Sequence, residues 1–239
     1  LIEVGQIERA KQEILQIQYR VTADMAEIIL PIASMLDMPS LQTTLGARLY
    51  GKTGMPQDSS MYPTPNWVPI GGFKIDPALI FALIRQESLF KHKAKSRRGA
   101  RGVMQLMPRT AKFIARNTNI GKITRNKLHK PEINIALGQE YVSHLMKDGV
   151  AGKNLLFTLA AYNAGPGNLN KWLSQTQYGN DPLLFMESSP SRETRNFMRL
   201  VITNYWIYRH KMGQETPSLN QMANGTWPEY FTHSDNGEK

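Results

Sequence analysis

The sequence predicts an all-α fold on three observations. Apolar residues recur at intervals of three and four in several segments, prolines stand where those segments would begin, and strand-like segments are scarce. Residues 2–18 and 23–36 carry the helical spacing and read as a helical pair. Across residues 51–72 the pattern lapses, and Pro56, Pro63, Pro65 and Pro69 together with glycines mark an extended connector. A boundary is placed there, giving a helical segment with its linker over 1–72 and a main domain over 73–239.

The main domain opens at Asp76-Pro77, where Asp can cap a helix and Pro can take the first helical position without losing a needed N–H bond. Leu79, Ile80, Leu83, Ile84 and Phe90 are expected to supply the apolar face of that helix. Residues 96–107, with Gly99 and Gly102, break the period and read as a loop or a short β ribbon. Further helices are predicted at about 108–117, 131–147, 153–164, 181–187 and 192–212. No internal repeat and no low-complexity tract is present.

Composition narrows the function classes. With 239 residues, 41% hydrophobic and 20% charged, the chain can bury a substantial core and is too apolar for a disordered segment. It has no run of about 18 apolar residues, and its first twenty residues are amphipathic and carry acids, so neither a membrane span nor a signal peptide is read there. A chain opening on Leu1 is expected to be a processed or truncated product. The absence of cysteine excludes disulfides, thiolate metal sites and cysteine nucleophiles. A net charge of +10 favours an anionic partner, whether nucleic acid, a membrane surface or a carboxylate-rich cell wall, or serves solubility alone; charge does not choose among these.

Glu87 carries the most chemistry. It lies three and four positions after Ile84 and Leu83, at the edge of a buried helical face, where desolvation raises a carboxyl pKa toward what a general acid needs near neutral pH. Spacing alone favours a solvated glutamate or one paired with Arg85 or Lys91 over a catalytic one. The neighbouring segments decide between these. Glu87-Ser88, Gly102-Val103-Met104-Gln105, Ala161-Tyr162-Asn163-Ala164-Gly165 and Glu193-Thr194-Arg195 occur in this order. The set closely resembles the catalytic domain of the soluble lytic transglycosylases over about residues 75–230, and the preceding helices resemble the segment before that domain in large, periplasmic, multi-helical members.

The resemblance implies an all-α, lysozyme-like catalytic domain with a short β ribbon, preceded by a helical linker region. It makes Glu87 the catalytic residue and places Ser96, Gln105, Met107, Tyr162, Asn163 and Glu193 along a glycan groove. Gln105 and Asn163 offer donors and acceptors suited to sugar hydroxyls and N-acetyl groups, and Tyr162 joins an apolar ring to a polar tip. Structural readings stand beside these roles. Asn163 can end a helix at Gly165-Pro166, Met104 and Met107 can fill core, and Glu193 can complement a helix dipole.

Three departures from the family pattern stand out: Val103 for leucine, Ser189-Pro190 for Ile-Pro, and Phe197 for tyrosine. Phe197 precedes Leu200 and Val201 by three and four residues, so these three side chains are expected to share one apolar face.

The implied reaction cleaves the bond between N-acetylmuramic acid and N-acetylglucosamine in peptidoglycan without water. Glu87 would act first as acid and then as base, the product would be a 1,6-anhydro ring, and neither cofactor nor metal would be required. The implied partner is the peptidoglycan glycan strand, the implied location the periplasm. A lysozyme-like hydrolase is the competing enzyme reading; its second carboxylate would come from Asp148, Glu140 or Glu193. A noncatalytic basic module for glycan or nucleic acid is the third, against which Glu87 stands. The basic run over 91–98 lacks interleaved aromatics and reads as a solvated loop beside the cleft, not a nucleic-acid patch. The histidines at 92, 129, 144, 210 and 233 show no spacing of three or four, so no histidine metal centre is expected.

Overall fold

The computed structural model describes residues 1–55, 58–116, 118–147, 149–175 and 178–231. They form two compact units. One comprises Leu1–Trp67 with Leu89–Lys91, and the other Val68–Ser88 with His92 to the end of the described residues.

The first unit contains helices α1 (Ile7–Ile17), α2 (Ala23–Met35), α3 (Pro39–Thr53) and the single turn α4 (Asp58–Met61). Thr22 caps α2, its hydroxyl accepting the Met25 N–H at 3.3 Å. Ala26, Ile29 and Ala33 of α2 and Leu41, Leu45 and Leu49 of α3 belong to one apolar cluster. Helix α3 is absent from the sequence reading because polar and small residues share its buried side. Gln42 is buried and donates to the Ala33 carbonyl at 3.3 Å, Thr43 donates to the Pro39 carbonyl at 2.7 Å, and a Cβ added at Gly46 would fall 3.0 Å from Ser60 Oγ. Hydrophobic periodicity cannot register such a face.

The second unit holds α5 (Pro77–Ser88), α6 (Pro108–Ala115), a 3-10 turn (Lys127–His129), α7 (Pro131–Lys147), α8 (Leu155–Ala164), α9 (Pro166–Gln175), α10 (Pro182–Ser188), α11 (Arg192–Lys211) and α12 (Pro217–Ala223). Helices α9 and α12 are additional to the sequence reading. At Gly165, φ 90°, the chain leaves α8, and Pro166 opens α9 at once, with Leu169 and Trp172 buried. The expected ribbon over 96–107 reduces to two isolated antiparallel bridges, Lys95 with Arg101 and Arg101 with Leu106. No described helix is long and apolar enough to cross a membrane.

Helix α5 is the central element. Every residue from Ala78 to Ile84 is buried, so its apolar surface exceeds the single face expected, while Phe90 lies beyond the helix end, with φ 63°, in the other compact unit. Asp76 fixes the start of α5. Its Oδ1 accepts the Ala78 N–H at 2.9 Å, and its Oδ2 accepts from Arg209 Nη1 at 2.9 Å, with both side chains almost wholly buried. Arg209 also donates to Tyr205 Oη at 2.8 Å, and the Asp76 N–H is received by Tyr230 Oη at 2.8 Å. A paired and hydrogen-bonded charge can stay inside where a lone one could not. Since Arg209 sits in the last turn of α11 and Arg85 reaches Asn204 further back along α11 at 3.4 Å, the two helices run antiparallel. The last turn of α5 and the first turn of α11 therefore lie at the same end of the unit.

Candidate active site

At that end opens a groove of about 740 Å³, lined among others by Glu87, Ser96, Gln105, Met107, Tyr162, Asn163 and Glu193. The structure thus brings together all seven residues singled out in the sequence. Glu87 stands in the last turn of α5 and forms no hydrogen bond or ion pair among the described residues. Burial, aided by the negative charge of Glu193, raises its carboxyl pKa to about 8. Desolvation penalises the anion while Glu193 repels it, so the protonated acid is favoured at neutral pH.

The wall carrying Gln105 is pinned from α7. Buried Asn134 accepts the Met104 N–H at 2.7 Å and donates to the carbonyls of Arg101 and Leu128, each at 3.0 Å. Gly102, φ 78°, leaves no room for a side chain: a Cβ there would fall 2.0 Å from the Leu128 carbonyl oxygen. Gly138 of α7 likewise admits the thioether of Met104, which a Cβ would meet at 2.1 Å. Met104 is thus core, as its structural reading holds, whereas Met107 is 42% exposed on the groove and does not fill core. Gln105 has the left-handed φ of 47°, and its amide donates to the Gly102 carbonyl at 2.8 Å. A non-glycine residue in that conformation is strained, and here its neighbours hold it at a site.

Tyr162 donates to the Met104 carbonyl at 2.8 Å, joining α8 to the same wall. Its ring stacks on Phe197 with centroids 6.2 Å apart and planes 6° from parallel, and meets Tyr141 at 5.4 Å. Burial raises the Tyr162 phenol well above its ordinary pKa, so the hydroxyl stays a donor. Asn163 accepts from buried Thr194 at 2.7 Å, which fixes its carbonyl oxygen and turns the amide NH2 into the available end. Ser191 caps α11 by accepting the Thr194 N–H at 3.2 Å, placing Glu193 in the first turn, where both dipole and groove readings are met at once. Ser96 accepts the Ala100 N–H at 3.0 Å.

Phe197 and Val201 are buried as expected, but Leu200 is 42% exposed and turns away from them. The apolar wall behind the groove is therefore made by Phe197 against Tyr162. Of the other carboxylates considered, Glu140 is ion-paired with Lys74 and lines a separate depression, while Asp148 lies outside the described residues. His233 also lies outside them. No cluster of three or more His, Asp or Glu able to hold a metal occurs among the described residues.

Sequence reasoning missed Tyr141, Thr110, Arg97 and Arg98 as groove-lining residues. Tyr141 follows Asn134 by seven and Gly138 by three in α7, the two positions that hold the Met104 segment. Those anchors appear only once α7 is packed on the Met104 segment, so helical spacing by itself does not point to Tyr141.

Residues 70–185 match the Transglycosylase SLT domain family. The matched residues make up just under half of the chain. It is 38% identical over 145 residues to the soluble lytic murein transglycosylase of Salmonella typhimurium, covering 60% of this chain and 22% of that protein. It is 38% identical over 149 residues to that of Escherichia coli K12, covering 62% and 23%. The chain thus spans less than a quarter of these relatives' length. The chain resembles the crystal structure of the 70 kDa soluble lytic transglycosylase from Escherichia coli, with a TM-score of 0.74, 28% identity, and 88% of this chain and 34% of that one covered. A structure of the inactive mutant of the lytic transglycosylase Slt from Pseudomonas aeruginosa gives a TM-score of 0.63 at 25% identity, covering 97% and 37%. The all-α, lysozyme-like fold expected from the sequence is the one observed.

Proposed function

We propose that this protein is a peptidoglycan lytic transglycosylase that cleaves the β-1,4 bond between N-acetylmuramic acid and N-acetylglucosamine and leaves 1,6-anhydro ends. The supporting observation is Glu87, a partnerless carboxyl in the groove with a pKa near 8. Protonated at neutral pH, it donates to the glycosidic oxygen as the C1–O bond breaks. The resulting carboxylate takes the proton from the muramoyl C6 hydroxyl, whose oxygen bonds to C1 and closes the ring. Glu87 ends as it began, and the nucleophile is already tethered to the reacting carbon.

On this reading Tyr162 and Asn163 hold the sugar, with Gln105, Ser96 and Met107 along the strand and Glu193 keeping Glu87 protonated. Residues 73–239 are the catalytic domain, 1–72 the helical segment before it, and the periplasm is the compartment that holds the substrate. Glu193 is also the one observation favouring a hydrolase, because it is a second carboxylate on the groove. Mass spectrometry of digested peptidoglycan separates the two. Anhydro ends at full yield support the proposal, and reducing ends without the anhydro ring refute it.

A further inference from the structure

The chain's net excess of positive charge comes from one stretch. Residues 88–131 hold 13 of the 29 Lys and Arg and none of the 19 Asp and Glu, so the remainder, with 16 cations against 19 acids, is net negative. None of these cations forms an ion pair with a carboxylate among the described residues. Charges left unpaired at this density repel one another, and a bound anion relieves that repulsion.

Two groups of them are organised. Arg97 and Arg98 line the candidate groove itself. Arg109 and Lys112 on α6 and Arg116 just past its end follow at intervals of three and four and, with Pro108 and exposed Phe113, line a separate depression of about 430 Å³. Helix α6 links the two places, since Met107 and Thr110 at its start face the groove while Arg109 and Lys112 face the depression.

We infer that the α6 depression is an anion-binding surface for the peptide part of the substrate, and that Arg97 and Arg98 extend it to the groove rim. This rests on the function proposed above. A glycan backbone of N-acetyl sugars is neutral at its ring hydroxyls and amides, whereas the peptides hanging from it carry free carboxylates. Guanidinium groups match carboxylates in shape and charge. Phe113 adds an apolar platform for the aliphatic part of a peptide. The neutral strand would thus lie in the groove while its acidic branch reaches across α6.

The test uses the full chain with Glu87→Gln, so that binding is read without turnover, on glycan strands of one length with and without their peptides. Peptide-bearing strands should bind about tenfold more tightly at low salt, and Arg109→Gln/Lys112→Gln/Arg116→Gln should abolish that preference. Arg109→Lys/Lys112→Arg/Arg116→Lys should retain it, and thermal unfolding should show both triple variants folded. In the native Glu87 background, the neutralised variant should cleave peptide-free strands at the normal rate. Equal binding of the two strands, or an undiminished preference in the neutralised variant, overturns the inference. So does tighter binding of a 20-base-pair DNA duplex than of peptide-bearing strands, lost with the same three cations. Failure of the enzymatic reading shows separately, as absence of cleavage of either strand by the native chain.

Discussion

Glu193, in the first turn of α11, raises the proton affinity of Glu87, in the last turn of α5, and so adds its charge to the effect of burial. Glu87 should therefore serve as an acid up to about pH 8, where its ionisation ends the first step. Glu193→Gln removes the repelling charge and lowers the Glu87 pKa, so the alkaline limb of turnover should move to lower pH. A pH profile of glycan cleavage measures this, and an unmoved limb would show that burial acts alone.

Glu87→Gln keeps the shape of the side chain but cannot transfer a proton. Turnover should fall by orders of magnitude while the fold and glycan binding persist. Stability gives a second readout. The carboxyl pKa is raised from 4.5 to about 8 on folding, so its favourable contribution is complete below pH 4.5 and is lost as pH rises through 8. Relative to Glu87→Gln, the native protein should lose up to about 4 kcal/mol between pH 4 and pH 9. Parallel unfolding curves for the two proteins across that range would contradict the assignment of a buried acid.

The buried pair of Asp76 and Arg209 ties the start of α5 to the end of α11. Arg209→Met strands the Asp76 carboxylate in the core and should cost about 3 to 5 kcal/mol in denaturant unfolding. Adding Asp76→Asn removes the unpaired charge and should recover a good part of that loss. Asn134→Ala should act locally instead. It takes away the partner of the Met104 N–H and one donor each from the Leu128 and Arg101 carbonyls, the latter keeping the Leu106 N–H, at a cost on the order of 2 to 4 kcal/mol, and turnover should fall with the loosened Gln105.

These pairings explain what could be read in advance. Short motifs around Glu87, Gln105, Tyr162 and Glu193 are local in sequence, and all four residues line one groove. Helices α5, α7, α8 and α11 carry enough apolar repetition or proline punctuation to be seen. Helix α3 was hidden because Gln42 and Thr43 satisfy their polar groups inside the core. The partnership of Asp76 with Arg209 joins residues 133 apart, a separation no pattern of spacing encodes. Tyr141 was hidden likewise, since its place depends on how α7 meets the Met104 segment.

Phe197 stands as the wall behind Tyr162. It is 4% exposed, and its ring lies parallel to that of Tyr162, whose hydroxyl is committed to the Met104 carbonyl. The stack and the hydrogen bond hold Tyr162 from two sides, so its orientation does not depend on a hydroxyl at 197. Phe197→Tyr should keep the fold and change turnover only a few-fold. Phe197→Ala removes a buried ring and should destabilise by about 3 to 5 kcal/mol. Because Tyr162 then loses its backing, turnover should also fall at temperatures where the variant remains folded. Thermal unfolding and glycan cleavage on both variants decide this. If the tyrosine variant gains much activity while the alanine variant keeps native stability, the ring at 197 contacts substrate instead of supporting Tyr162.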